Sequence, residues 1–201
     1  MPEPFRVGFV TGATPDKWAR AWRDRRREPL ELLPVLETEQ EHGVRDGELD
    51  MALVRLPVTR DGLHCITLYA EVPVVVAGSE HFIAAADEVT LADLAEEQLV
   101  RPHSSGWRPD AEQLDWPPMS EKDAIETVAA GTGVVIVPMS IARLHQRKDV
   151  VQRPVSDLDP TQIGLIWLLD RDGEDTQAFV GVVRGRSGNS SRERRRLTRT
   201  G

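Results

Sequence analysis

Two polar turns hold the residues best suited to chemistry. Thr11-Gly12-Ala13-Thr14 and His103-Ser104-Ser105-Gly106 each follow a short apolar run and lead into a helix-like pattern. A turn that opens a helix presents backbone N–H groups and the positive end of the helix dipole, a combination that favours an anion such as a carboxylate. The hydroxyls of Thr11, Thr14, Ser104 and Ser105 can add hydrogen bonds, and Arg55, Arg101 and Lys122 can balance charge. Ligands of open α/β folds sit in a crevice outside the carboxyl ends of parallel strands. That rule adds Arg55-Leu56-Pro57, Ser120 with Lys122, and Pro138, where other apolar runs stop. Plainer roles compete for the same residues. Thr14 and Ser120 suit helix caps, Ser104 and Ser105 a solvated turn, Arg55 an ion pair with a surface acid, and Trp107 and Trp116 simple packing.

Signals for catalysis are poor. The five histidines (His42, His64, His81, His103 and His145) are scattered without metal-ligand spacing, and Cys65 has no cysteine partner. Cys65 falls in a strand-like run and is expected to be buried and inert. No phosphate-binding Gly-rich loop or Gly-x-Ser-x-Gly elbow is present. Gly131-Thr132-Gly133 precedes a strand-like run rather than a helix, so it is not a dinucleotide fingerprint. The expectation is a protein with no catalytic residues, no metal and no cofactor.

The elements that must position these residues are organised around two stretches with one grammar. Arg45-Asp46-Gly47-Glu48-Leu49-Asp50-Met51-Ala52-Leu53-Val54-Arg55-Leu56-Pro57 and Val128-Ala129-Ala130-Gly131-Thr132-Gly133-Val134-Val135-Ile136-Val137-Pro138 each read as a helix end, a Gly turn, a doubly buried strand and a Pro stop. Upstream of the first, residues 5–10 and 30–35 read as strands. A helix over 15–27 lies between them, with Thr14 as cap and Pro15 at its first position, and a weaker helix spans 39–46. Strands are predicted over 63–69 and 72–77, a short capped helix over 90–95, a strand at 98–101, a helix over 109–114 and a short strand at 116–119. Ser120 caps a helix running to Ala130. After Pro138, Ser140 caps a helix through Arg147, and strands follow at 150–155 and 162–169. A helix over 176–184 closes the fold. Strands alternating with helices imply mainly parallel sheets in two similar α/β halves, with a ligand between them.

The chain has 201 residues, 40% of them apolar, enough for one large domain or two small lobes. A single Cys allows no internal disulfide and fits a reducing compartment, the cytoplasm; neither a signal peptide nor a membrane span is read. The net charge of -8 hides a basic end. From residue 184 on, Arg184, Arg186, Arg192, Arg194, Arg195, Arg196 and Arg199 face only Glu193. This tail reads as a disordered, solubilising end; its other reading is non-specific attraction to nucleic acid phosphates.

Taken in order, several segments resemble the effector-binding (substrate-binding) domain of LysR-type transcriptional regulators. They are Phe5-Arg6-Val7-Gly8, Pro29-Leu30-Glu31-Leu32, Gly47-Glu48-Leu49-Asp50-Met51-Ala52-Leu53, Leu68-Tyr69-Ala70-Glu71, Val89-Thr90-Leu91-Ala92-Asp93-Leu94, Val128-Ala129-Ala130-Gly131-Thr132-Gly133-Val134 and Pro138-Met139-Ser140. The resemblance implies a type 2 periplasmic-binding-protein-like α/β fold, two Rossmann-like lobes joined by two crossing strands. It places residues 1–74 and 154–186 in lobe I, residues 75–153 in lobe II, and leaves 187–201 as the tail. It implies a module that binds a small, anionic effector and is associated with transcription regulation, and it points to the same ligand-binding segments. Met1 lies only a few residues before the first strand, so the family's helix-turn-helix domain is expected to be missing and direct, specific DNA binding is not expected. Partner expectations are a homodimer or pairing with a full-length regulator, with no membrane. Asp24-Arg25-Arg26-Arg27-Glu28 departs from the apolar helix face that the family uses for dimer pairing. An enzyme on the same two-lobed fold and a nucleic-acid-associated protein acting through the tail are the alternatives.

Overall fold

A computed structural model describes residues 3–185. The chain divides into two compact units, one running to Tyr69 and resuming at Gln162, the other spanning Ala70–Thr161. The basic tail at 187–201 lies outside the described residues.

In the first unit, β1 (Phe5–Val10), β2 (Leu30–Val35), β3 (Met51–Arg55), β4 (Leu63–Glu71) and β8 (Thr161–Leu168) form a sheet in the order β2-β1-β3-β8-β4. β1 is parallel to β2 and β3, with Val7 opposite Leu32 and Met51. β8 enters antiparallel, pairing Leu165 with Leu53. Every residue of β3 is buried. Successive side chains of a strand point to opposite faces, so Met51 and Leu53 join one core and Ala52 and Val54 the other. β8 divides the same way, with Ile163, Leu165 and Trp167 on one side and Ile166 on the other. Burial on both faces explains why these strands read as unbroken apolar runs.

The helices α1 (Asp16–Arg23) and α5 (Glu174–Val183) cover the first of these faces. Trp18 and Trp22, four residues apart on α1, are both buried, and the Trp22 ring stacks on Phe5 at 4.9 Å and meets Phe179 of α5 at 5.7 Å. The helix stops at Arg23 instead of running to Arg27. The arginines beyond it are not helical surface: Arg26 turns back to Glu28, Glu174 and Asp175 and ties the end of α1 to the start of α5. The expected helix over 39–46 is a 3₁₀ turn, Glu37–Glu39, followed by the single-turn α2 (His42–Arg45). Gly47 has φ of +75° and lets the chain turn from α2 into β3.

The second unit is built on the sheet β6-β5-β7, from β5 (Pro73–Gly78), β6 (Val135–Pro138) and β7 (Val150–Pro154), both pairings antiparallel. Val74 and Val76 of β5 join Val135 and Val137 on one face, where α3 (Glu121–Ala129) lays Ala124, Ile125 and Val128 over them. Val75 and Ala77 join Ile136 on the other, under Ile83 and Leu94. The predicted strand at 98–101 reduces to a parallel bridge of Leu99 with Val134. Gly133, at φ +67°, permits that bridge: a Cβ there would lie 2.3 Å from the Gln98 carbonyl oxygen.

Several expectations fail in this unit. Residues 109–114 form no helix and 116–119 no strand. Pro117 and Pro118 remove backbone donors that a strand needs, and the Leu114 N–H, which a helix would direct to residue 110, goes to Gln98 Oε1. The helix at 90–95 is only a 3₁₀ turn, Ala92–Leu94. Ser140 is not a cap but lies inside α4 (Met139–Leu144), which Pro138 precedes. The strands expected at 72–77 and 150–155 are present as β5 and β7, paired with each other. The chain passes between units at Tyr69–Ala70 and Thr161–Gln162, where the sequence expectation put 74–75 and 153–154.

Candidate functional site

The carboxyl ends of β1, β2 and β3 bring their following segments together in the first unit. β1 hands over to the turn at 11–14, closed by a bond from the Ala13 N–H to the Val10 carbonyl at 3.1 Å, with Gly12 at φ +90°. Ala13 is buried, whereas Thr11 and Thr14 are exposed. Thr14 is not the cap of α1. Pro15 holds that position without a side-chain bond, and its carbonyl accepts the N–H groups of Trp18 and Ala19.

Arg55 ends β3 and is only 7% exposed. Its Nη2 donates to the Thr11 carbonyl at 3.1 Å, and its Nη1 donates to Oε2 of Glu37. Its backbone is pinned from both sides by Gln40: the Arg55 N–H donates to Gln40 Oε1 and Gln40 Nε2 donates to the Arg55 carbonyl, each at 2.8 Å. The charge expected to balance an anion is therefore already met inside the chain. Leu56 donates its N–H to the Gln162 carbonyl at 2.8 Å and is half-buried, and the Leu56–Pro57 peptide is cis with Pro57 exposed. Glu37 and Gln40 escaped the sequence reading. Glu37 opens the 3₁₀ turn after β2 and Gln40 caps its end, in a stretch without apolar periodicity to mark either.

In the second unit the Leu99–Val134 bridge leads into residues 101–107, and β6 ends at the half-buried Pro138. His103, Ser104, Ser105 and Gly106 form a self-closed turn. The Gly106 N–H donates to the His103 carbonyl at 3.0 Å, and Gly106 has φ of +78°. The Ser105 N–H donates to His103 Nδ1 at 3.2 Å, so that nitrogen carries the lone pair and the Ser105 hydroxyl, 2.9 Å away, donates to it as well. Ser105 Oγ in turn accepts the Trp107 N–H at 3.2 Å. The Ser–His contact closes a turn; the imidazole lone pair is shared with a backbone amide and is not reserved for the hydroxyl, as an activated nucleophile would need. Burial, and secondarily the Arg101 charge, hold the His103 imidazole below its ordinary pKa. Ser104 is exposed.

The remaining polar candidates are engaged. Ser120 caps α3, its Oγ accepting the Asp123 N–H at 3.2 Å and donating to Asp123 Oδ2 at 2.8 Å. Asp123 thus fills the capping-box position usually held by Glu or Gln. Lys122 is exposed beside Glu126, 3.7 Å away and one turn along. Arg101 donates to the Met119 carbonyl at 3.2 Å and lies 3.4 Å from Glu121. Cys65 is half-buried, and burial raises its thiol pKa. Among the described residues no group of His, Cys, Asp and Glu is placed to hold a metal ion, and no helix is long and apolar enough to cross a membrane.

Two cavities lie elsewhere. One of about 330 Å³ sits at the start of β1, beside Phe5, Arg6, Glu48, Asp50, Arg171 and Asp175. One of about 160 Å³ sits beside Leu99, Pro102, Arg108, Gln113 and Trp116. Neither is lined by the ligand-binding residues expected from the sequence; Trp116, read there as a packing residue, lines the second.

Comparison with known proteins gives a consistent family signal. The LysR substrate binding domain model matches residues 18–188. The HTH-type transcriptional regulator AlsR of Bacillus subtilis (strain 168) is 23% identical over 180 residues, covering 81% of this chain and 58% of that protein. The Hca operon transcriptional activator HcaR of Escherichia coli (strain K12) is 35% identical over 92 residues, covering 44% of this chain and 31% of that protein. The chain thus spans little more than half, or less, of these relatives' length. Among solved structures, the BenM effector binding domain with its effector benzoate aligns with a TM-score of 0.76 at 21% identity, covering 91% of each chain. The oxidized form of OxyR aligns at 0.73 and 20% identity, covering 92% of this chain and 96% of that one. Both share the fold.

Proposed function

Because this chain belongs to the LysR substrate binding domain family, we propose that it is an effector-binding module associated with transcription regulation, holding a small molecule without transforming it. The observation that supports this most is the convergence on Arg55. Thr11 reaches it from the turn at 11–14, and Glu37 and Gln40 from the 3₁₀ turn after β2, so that two segments are anchored to the end of β3. A binding surface needs hydrogen-bonding groups held in place before the ligand arrives. Here the anchored side is buried, and the exposed side offers the hydroxyls of Thr11 and Thr14 beside Gly12, where the backbone is bare. The turn at 103–107 of the second unit is ordered by its own hydrogen bonds and leaves Ser104 exposed.

The test is titration of the ¹⁵N-labelled protein with benzoate, benzylamine and benzyl alcohol, followed by a wider set of small metabolites, with thermal unfolding alongside. A ligand that binds only the folded chain raises Tm by mass action. The expected outcome is a saturable change at the amides of residues 12–14 or 104–107, together with a higher Tm. Thr11→Val is expected to weaken binding about 5–10-fold, the effect of one hydrogen bond. A ligand that raises Tm while leaving both sets of amides unmoved overturns this reading.

A further inference from the structure

We propose that Glu37 sets the charge selectivity of the effector site, reserving it for a head group that donates hydrogen bonds and carries no negative charge. The inference rests on reading the turn at 11–14 as the effector site.

A carboxylate already occupies Nη1 of Arg55, and it belongs to the chain itself. An Arg–carboxylate contact is a charge-assisted bond, about twice as strong as a neutral one. Arg55 is 7% exposed, so the guanidinium end of this contact is shielded from competing water and salt, while the Glu37 end is not. Thr11 holds Nη2 through its carbonyl, and Gln40 fixes the backbone, so the guanidinium cannot swing out to meet an arriving anion. An anionic head group must either displace Glu37 or approach its carboxylate and be repelled.

The Glu37 side chain itself is 45% exposed, and Thr11 and Thr14 are exposed on the turn whose Thr11 carbonyl shares the Arg55 guanidinium with it. The groups left to an incoming molecule here are the half-exposed Glu37 carboxylate and the exposed hydroxyls of the adjoining turn, all able to accept hydrogen bonds. Such a set suits an alcohol or an ammonium group. The same argument gives Glu37 a role that a merely structural ion pair lacks. Because its carboxylate reaches solvent on one side and Arg55 on the other, replacing it exchanges one site chemistry for another and leaves the cores of the unit untouched.

The experiment compares the wild-type chain with Glu37→Gln and Glu37→Ala. Each is titrated with benzoate, benzylamine and benzyl alcohol, three probes with one ring and different heads. Propionate, which carries the carboxylate that the Ala variant lacks, is titrated in parallel against chloride at equal ionic strength. The readouts are the guanidinium N–H resonances of Arg55 and the amides of residues 12–14. In the wild type, propionate and benzoate are expected to leave the Arg55 resonances unmoved. In Glu37→Ala, propionate is expected to shift them saturably, and the preference for benzoate over benzyl alcohol to rise about tenfold or more, the scale of one charge-assisted bond. Glu37→Gln keeps the shape of the side chain and is expected to show the same direction of change, which separates charge from packing. Propionate shifting Arg55 equally in wild type and Glu37→Ala, or an unchanged head-group preference in both variants, overturns the proposal. If none of the probes moves residues 12–14 in any of the three proteins while Arg55 responds to propionate in Glu37→Ala, the selectivity claim stands for Arg55 and it is the effector-site reading that fails.

Discussion

Arg55 and His103 show how far the neighbourhood of a residue decides what its chemistry can be. Both were picked out as polar groups near strand ends. Arg55 turns inward, and its charge is spent on holding Glu37 and the Thr11 carbonyl. His103 accepts at Nδ1 from two donors of its own turn and sits low in pKa through burial, with the Arg101 charge adding to the effect. The pH consequence has a definite sign. An unfolded chain protonates this imidazole near the ordinary value of 6.5, before the folded chain does, so the unfolded state binds more protons. His103 therefore supports stability fully above pH 6.5 and loses that support as pH falls from 6.5 through the depressed folded value. Tm measured from pH 7.5 down to 5.5 should fall, and His103→Gln should flatten that fall relative to wild type. An equal slope in both proteins would show that His103 is not the group responsible.

At the scale of elements, legibility followed burial. β3, β5 and β8 are recognisable in the sequence because both of their faces meet apolar cores, so each stands out as an apolar run with a clear stop, whereas β1 is recognisable by its alternation, with Phe5 and Val7 in one core and Arg6 exposed. α3 is recognisable through its start signal, and Ser120 caps it as read. Ser120→Ala should cost about 0.5–2 kcal/mol, the usual range for a lost N-cap, measured by urea unfolding. A loss near zero would mean that Asp123 and water replace the cap. The segment 101–119 was not legible, because its order comes from distant partners. Gln113 Oε1 accepts the Leu99 N–H at 2.8 Å, and Gln98 Oε1 accepts the Leu114 N–H at 2.8 Å. These side chains replace a strand neighbour, and no local pattern announces them. The end of α1 failed for a related reason. Arg25, Arg26 and Arg27 have good helix propensity, but tertiary bonds of Arg26 to Glu174 and Asp175 hold the chain beyond Arg23 in a different path. The candidate site was half legible in the same sense. The turn at 11–14 follows from the fold rule, whereas Glu37 and Gln40 acquire their roles only once β2 and β3 flank β1.

For the whole molecule, the way the chain is divided predicts unequal independence of the two units. The second unit is one continuous stretch, residues 70–161, with apolar cores on both faces of its own sheet. A segment of that size can bury enough surface to fold alone. The first unit is interrupted, and the piece that returns after residue 161 is central to it. β8 lies between β3 and β4 in the sheet, and α5 supplies Phe179 to the aromatic cluster of Phe5 and Trp22. A chain ending at residue 161 would therefore lose an interior strand and half of the cover over one core, while its second unit keeps every strand partner it has. Two truncations test this. The fragment 70–161 is expected to give a dispersed amide spectrum and one cooperative urea transition. The chain 1–161 is expected to show those same resonances together with an undispersed set from residues 1–69. Dispersed resonances from both halves of 1–161 would show that β8 and α5 are dispensable, and a collapsed spectrum of 70–161 would show that the second unit depends on the first for its stability.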